Sequence, residues 1–166
     1  MIVDKTDLPG VLLIKPEIFE DFRGQYIEIY NEALYREKGI VKFIQDDISI
    51  SSRHVLRGIH GDKETWKLIS CLYGMFYLVV VNYNEESSYF RKWQAFALSE
   101  KNRYQVLVPP NYGNAHLVMS DNAIFHYKQS TYYDLSKQFT LKWNDPQLNI
   151  WWPIKNPILS MRDERW

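Results

Sequence analysis

Short apolar stretches rich in Val, Ile, Phe, Tyr and Trp, cut apart by Gly, Pro, Asn and Asp, run the whole length of the chain. That pattern predicts strands over 11–15, 25–30, 43–51, 55–60, 67–73 and 75–83. Further strands are predicted over 92–98, 104–108, 115–119, 123–130 and 139–142. Only Glu32–Glu37, after "YN", reads as helical, with Asn31 placed to cap it. Gly74 in "LYGM" and the prolines and glycine of "PPNYGNAH" supply turns between strands. So many short strands predict an all-β fold, an antiparallel β-sandwich or barrel of the jelly-roll kind with one or two short helices.

Composition narrows this. The chain has 166 residues, of which 46% are hydrophobic, enough for one domain over residues 1–166 with a core of its own. Lys plus Arg and Asp plus Glu both number 20, so the overall charge points to neither a nucleic acid nor a membrane surface as partner. The single cysteine, Cys71 in "LISCLYG", is expected to be the buried thiol of a cytoplasmic protein. "MIVDKTDLPG" lacks the apolar core of a signal peptide, and no run nears the roughly 20 apolar residues of a membrane span. The aromatic surplus suits half-buried strands, and part of it could line a sugar or base pocket.

Candidate chemistry starts from four histidines. His54 in polar "SSRH" is expected to face solvent, and His126 and Tyr127, adjacent on a strand, point to opposite sheet faces. His60 and His116 remain. Metal-binding cupins use H-x-H, but His60 is followed by Gly61 and Asp62; a mixed set of Asp62, Glu64 and His116 is the alternative, and no metal is expected. Without a metal, a histidine serves as general base, paired with a carboxylate that fixes its tautomer. Arg23, Arg57 and Lys67 suit a phosphate-bearing substrate.

The motifs taken together resemble the dTDP-4-dehydrorhamnose 3,5-epimerase family of nucleotide-sugar 4-keto epimerases. In order they are "FEDFRGQYIE", "FIQDDIS", "LRGIH", "WKL", "GMFYLVVV", "LSEKNRYQVLVPPNYGNAH", "FHYKQSTYYDLSKQF", "LKWNDPQLNIWWP" and "ILSMRD". The resemblance implies a cupin-type jelly roll without metal or cofactor, a homodimer, and a nucleoside-diphosphate 4-keto sugar as substrate. It implies His60 as base, Asp163 as the partner of His60, and Tyr127 as acid. Implied substrate contacts are Arg23, Glu28, Gln45, Asp47, Arg57, Lys67, Asn114, His116 and Arg162. Tyr133, Phe19 and Trp143 are candidates to stack on the base.

The chain departs from the familiar pattern at Gly61-Asp62, at Asp47 where the family has "Q-x-N", at Leu117 after "NAH", and at "LVVVN" in place of "DVAVD". "LRGIHGD" with "PPNYGNAH" resembles a capsular heptose branch. The expectation is therefore a GDP-4-keto-6-deoxyheptose epimerase of capsular polysaccharide biosynthesis, with Gly61 leaving room for a longer sugar. The alternatives are a dTDP-4-dehydrorhamnose 3,5-epimerase, a nucleotide-sugar 3,4-ketoisomerase and a non-catalytic sugar-binding jelly roll. Epimerisation at C3 alone and at C3 and C5 are both open.

Overall fold

The computed structural model of the chain describes residues 1–165. Strands are numbered in chain order. One sheet has the order β1 (Ile2–Lys5), β2 (Leu12–Lys15), β10 (Gln105–Val108), β7 (Lys67–Tyr73), β12 (Asn122–Gln129), β5 (Gln45–Ser52). The other runs β13 (Phe139–Thr140), β6 (Leu56–Gly61), β11 (Tyr112–Val118), β8 (Met75–Asn82), β9 (Trp93–Ser99). A separate hairpin joins β3 (Ile18–Asp21) to β4 (Gly24–Ile27). All these pairings are antiparallel, and the architecture is the jelly roll that the strand pattern predicts.

The alternation of side chains along β8 shows how the layers form. Phe76, Leu78 and Val80 enter the core between the sheets, with Ile69, Cys71, Val106 and Phe125. Val79 and Val81 point the other way, into a second cluster with Ile59, Ala115 and Leu148, against which Ile150 and Trp152 pack. The run "LVVV" is therefore apolar at every position because both of its faces are covered. On the opposite flank, α1 (Glu32–Glu37) presses Tyr35 onto Ile14, Leu68 and Leu107, and Asn31 Oδ1 accepts the Leu34 N–H at its N-terminus. Each fully buried Leu or Phe of this kind contributes about 1.5–3 kcal/mol.

Three short elements have little signature in the sequence: β1, β3, and α2 (Met161–Glu164). The segment leading into α2 is tied to the start of β6, where Leu56 N–H donates to Ile158 O and Ile158 N–H donates to His54 O.

Along β6 the register against β11 shifts. His60 faces Asn114 and Arg57 faces His116, so two residues on β6 stand against one on β11. In a regular strand Arg57 and His60, three apart, would point to opposite faces. The extra residue at Gly58–Ile59 turns both onto the inner face, while Ile59 fills the outer cluster. Gly58 has φ +114°, and a Cβ there would lie 2.5 Å from Asn114 O and 2.8 Å from Ala115 Cα. Gly58→Ala is expected to cost about 3 kcal/mol, from left-handed strain plus overpacking. A urea midpoint lowered at unchanged slope would show it, and an unchanged midpoint would remove Gly58 as the reason the bulge is tolerated.

Candidate active site

Towards one end of the sandwich the inner faces turn from apolar to polar and enclose a cavity of about 340 Å³, a volume suited to a small ligand. The residues arrive in rows set by strand register. Gln45, Gln129 and Lys67 stand side by side on β5, β12 and β7, and Asp47, Tyr127 and Ile69 form the next row. From the facing sheet come Arg57 and His60 on β6 and Asn114 and His116 on β11. Arg162 and Asp163 on α2 close the side.

His60 and Asp163 form the tightest polar contact in the cavity, with Nε2 2.6 Å from Asp163 Oδ1. The carboxylate is 2% exposed and the imidazole 26%. Burial pushes Asp163 up, but hydrogen bonds from His60, Ser160 and Gly58 outweigh it and hold the carboxyl below the usual carboxylate range. An ionised Asp163 accepts the Nε2–H of His60 and leaves the Nδ1 lone pair free, which is the tautomer a base needs. Asp163 is itself oriented by Ser160, which caps α2: Ser160 Oγ accepts Asp163 N–H at 3.2 Å and donates to Asp163 Oδ2 at 3.0 Å. The S-x-x-D spacing of "SMRD" is a capping signal, though α2 is too short to stand out by periodicity.

Tyr127 lies on the opposite sheet. Burial, with Asp47 and Tyr133 adding to it, pushes its hydroxyl up to about 12, so it stays protonated as a donor near neutral pH. Lys67 is 7% exposed and donates to Asn114 Oδ1 at 3.4 Å. Burial lowers its pKa, Asp62 opposes that, and Arg162 adds to it. Arg57 Nε donates to Ser51 Oγ at 3.0 Å, and Arg162 Nη2 donates to Thr140 Oγ1 at 2.8 Å. Both arginines line the cavity. His116 stacks on Phe125 with centroids 4.0 Å apart. Burial, helped by Arg57 and His60, pushes it down to about 3, so it is neutral. His116 Nε2 and Ser49 Oγ are buried without a hydrogen-bond partner among the described residues. Both residues line the cavity, which is where a ligand would satisfy them.

Eight of the expected residues thus meet in one place: His60, Tyr127, Asp163, Arg57, Lys67, Asn114, His116 and Arg162. Four do not. Arg23 is exposed at the β3–β4 turn and pairs with Asp21 at 2.6 Å, and Glu28, just past β4, lines a separate cleft with Phe19 and Tyr26. The hairpin carrying them pairs with neither large sheet. Gln45 and Asp47 stand one strand further out, where Asp47 Oδ2 accepts from Gln45 Nε2 and Gln129 Nε2 at 2.8 Å each. They support the cavity lining without forming it. Gln45 Oε1 in turn accepts Tyr133 N–H at 2.8 Å. Of the stacking candidates only Tyr133 reaches the cavity; Trp143 packs on Trp152.

The features read as signs of a longer sugar have local structural causes. A Cβ on Gly61 would strike Tyr112 O and the ring of Phe139, so glycine is required by close strand packing and opens no room in the cavity. Asp62 is 5% exposed and accepts the N–H groups of Glu64 and Thr65 and the Nε2–H of Gln138, fixing the loop after β6. Glu64 pairs with Lys137, so the mixed set of Asp62, Glu64 and His116 does not assemble. Cys71 is buried and pushed up to about 12 by that burial. His126 and Tyr127 occupy opposite faces as expected: His126 bridges Ser70 Oγ and Asp46 Oδ1 on the outer face. No helix of the described residues is long and apolar enough to cross a membrane.

The buried His116 gives a measurable pH dependence. Below about pH 6.5 the unfolded chain takes up a proton on this imidazole that the folded chain refuses until about pH 3. Its stability contribution is therefore complete above pH 6.5 and lost as pH falls towards 3. His116→Gln is expected to remove about 1.4 kcal/mol per pH unit from the stability slope between pH 4 and 6. Urea unfolding of both proteins across that range measures it, and parallel slopes would contradict it.

A family model for dTDP-4-dehydrorhamnose 3,5-epimerase matches residues 5–166. The dTDP-4-dehydrorhamnose 3,5-epimerase of Shigella flexneri is 36% identical over 168 residues, covering 98% of this chain and 93% of that one. The crystal structure of the enzyme of that name from Elizabethkingia anophelis superposes with a TM-score of 0.91 at 38% identity, covering 99% and 93% of the two chains. A dTDP-6-deoxy-D-glucose-3,5-epimerase from Legionella pneumophila, solved with dTDP-4-keto-L-rhamnose, gives 0.94 at 33% identity over 99% and 90%. With such matches over nearly its full length, the chain belongs to the dTDP-4-dehydrorhamnose 3,5-epimerase family and is an isomerase acting on nucleotide sugars.

Proposed function

We propose that the protein epimerises a dTDP-linked 4-keto-6-deoxyhexose next to its ketone, through an enolate, with His60 as base and Tyr127 as acid. The observation that carries this is the His60–Asp163 pair facing the protonated Tyr127 across one cavity. A C–H bond beside a ketone is acidic because its carbanion delocalises onto the carbonyl oxygen. His60 Nδ1, free of other partners, takes that proton, and Asp163 steadies the imidazolium that results. Lys67, buried beside Asn114, supplies positive charge to the developing oxyanion where little water competes. Inversion needs the new proton to come from the other face of the sugar. β6 and β12 belong to opposing sheets, so His60 and Tyr127 approach a ring held between them from opposite sides.

Arg57 and Arg162 suit the diphosphate, since both line the cavity and each guanidinium has N–H donors beyond those given to Ser51 and Thr140. The dTDP-linked hexose is favoured over the GDP-linked heptose because the relatives described above are named for dTDP sugars, one with such a sugar bound. The local argument for a longer sugar also fails, since Gly61 packs on Phe139 away from the cavity. The homodimer implied by the family resemblance belongs to the same reading.

In deuterated water, with dTDP-4-keto-6-deoxyglucose, the wild-type protein is expected to incorporate deuterium beside the ketone and invert the labelled centres. The number of labelled positions distinguishes C3 from C3 and C5. Faster exchange into a GDP-4-keto-heptose would overturn the dTDP assignment, and a displaced carbonyl carbon would indicate a ketoisomerase. His60→Asn is expected to lower exchange by at least about a thousandfold while binding dTDP within a few fold of wild type. Tyr127→Phe is expected to retain exchange and lose most inversion; full inversion by this variant would exclude Tyr127 as the acid.

A further inference from the structure

Two residues of the cavity lining, Gln129 and Gln138, take no part in the proton transfers above. Each has its amide tied to a carboxylate that lies behind the lining. Gln129 Nε2 donates to Asp47 Oδ2 at 2.8 Å, and Gln138 Nε2 donates to Asp62 Oδ2 at 2.8 Å. A carboxylate accepts hydrogen bonds, so the end of each amide that faces it must be the NH2 group. The carbonyl Oε1 is the end left over, and in neither residue does it accept a hydrogen bond among the described residues.

The orientation is secured from behind in both cases. Asp47 also holds Gln45 Nε2 at 2.8 Å, and Asp62 is anchored by the N–H groups of Glu64 and Thr65 at 2.9 and 2.6 Å. Neither amide can turn over without setting its carbonyl oxygen against a carboxylate oxygen. The three cations of the lining, Arg57, Lys67 and Arg162, have no acceptor to offer. Such cations suit phosphate and keto oxygens but leave the donor side of a sugar hydroxyl unread.

We propose that Gln129 and Gln138 are the hydroxyl-reading residues of this cavity, held with their carbonyl oxygens inward by Asp47 and Asp62, and that they select for the sugar of the ligand. Register places Gln129 beside Lys67 and two residues along β12 from Tyr127, so its acceptor sits next to the groups assigned to the proton transfers. The inference rests on the nucleotide-sugar reading and adds to it the specificity for a hydroxylated ring.

Calorimetry with dTDP and with dTDP-6-deoxyglucose, which binds without turnover, tests it. Gln129→Met and Gln138→Met keep the length of the side chain and remove the acceptor. Each is expected to bind dTDP within about twofold of wild type and dTDP-6-deoxyglucose about tenfold more weakly, the effect of one lost hydrogen bond. Asp47→Asn, which keeps a polar partner and spares the packing, is expected to weaken the sugar nucleotide by about threefold and dTDP not at all. Unchanged affinity for the sugar nucleotide in the two Met variants would overturn the proposal. So would equal losses for both ligands, since the acceptors would then be reading the base. A wild-type protein that binds neither ligand would overturn the nucleotide-sugar reading and this assignment with it.

Discussion

The hydrogen bond between His60 and Asp163 joins residues 103 positions apart, and much of the architecture bears on making it. Asp163 reaches the cavity because the chain beyond β13 packs across the outer face of the five-stranded sheet, through Leu148, Ile150 and Trp152. That segment is then clipped to β6 by backbone hydrogen bonds at Ile158. Removing water from a carboxylate is costly unless hydrogen bonds replace it. Here His60, Ser160 and the backbone of Gly58 replace it together, and the bond to Asp163 holds the His60 imidazole in one tautomer.

How much of this could be read from the sequence follows from how local each cause is. Strands such as Lys67–Tyr73, and the helix Glu32–Glu37 with its Asn31 cap, are legible because apolar pattern and capping chemistry act over a few residues. β1 and β3 are short and mostly exposed or half-buried, so they carry little hydrophobic signal. His60, Tyr127 and Asp163 come from the motif resemblance; composition and periodicity alone stop at a β domain with two histidines of interest. The β6 bulge is not legible, because only the register against β11 reveals that Arg57 and His60 share a face. Gly61 and Asp62 show the opposite problem: a sequence difference beside a motif suggested a substrate difference, whereas packing against Phe139 and loop anchoring explain both.

Charge in the cavity is graded. The cations Arg57, Lys67 and Arg162 come from three different elements, while Asp163 is spent on His60 and Asp47 and Asp62 on amide groups behind the lining. The space left for a ligand is therefore positive, although the chain as a whole has no net charge. A neutral His116 keeps that field from growing further, since its burial costs more than a second proton is worth.

Because His60 and Tyr127 belong to opposing sheets, the gap between them is the thickness of the sandwich. That thickness is fixed away from the cavity, by Leu78, Val80, Leu98, Val106 and the other side chains that fill the space between the layers. The hydrophobic core therefore acts as a caliper for the site: a methylene added or removed there changes how closely His60 and Tyr127 can approach a ring held between them, with no polar group touched.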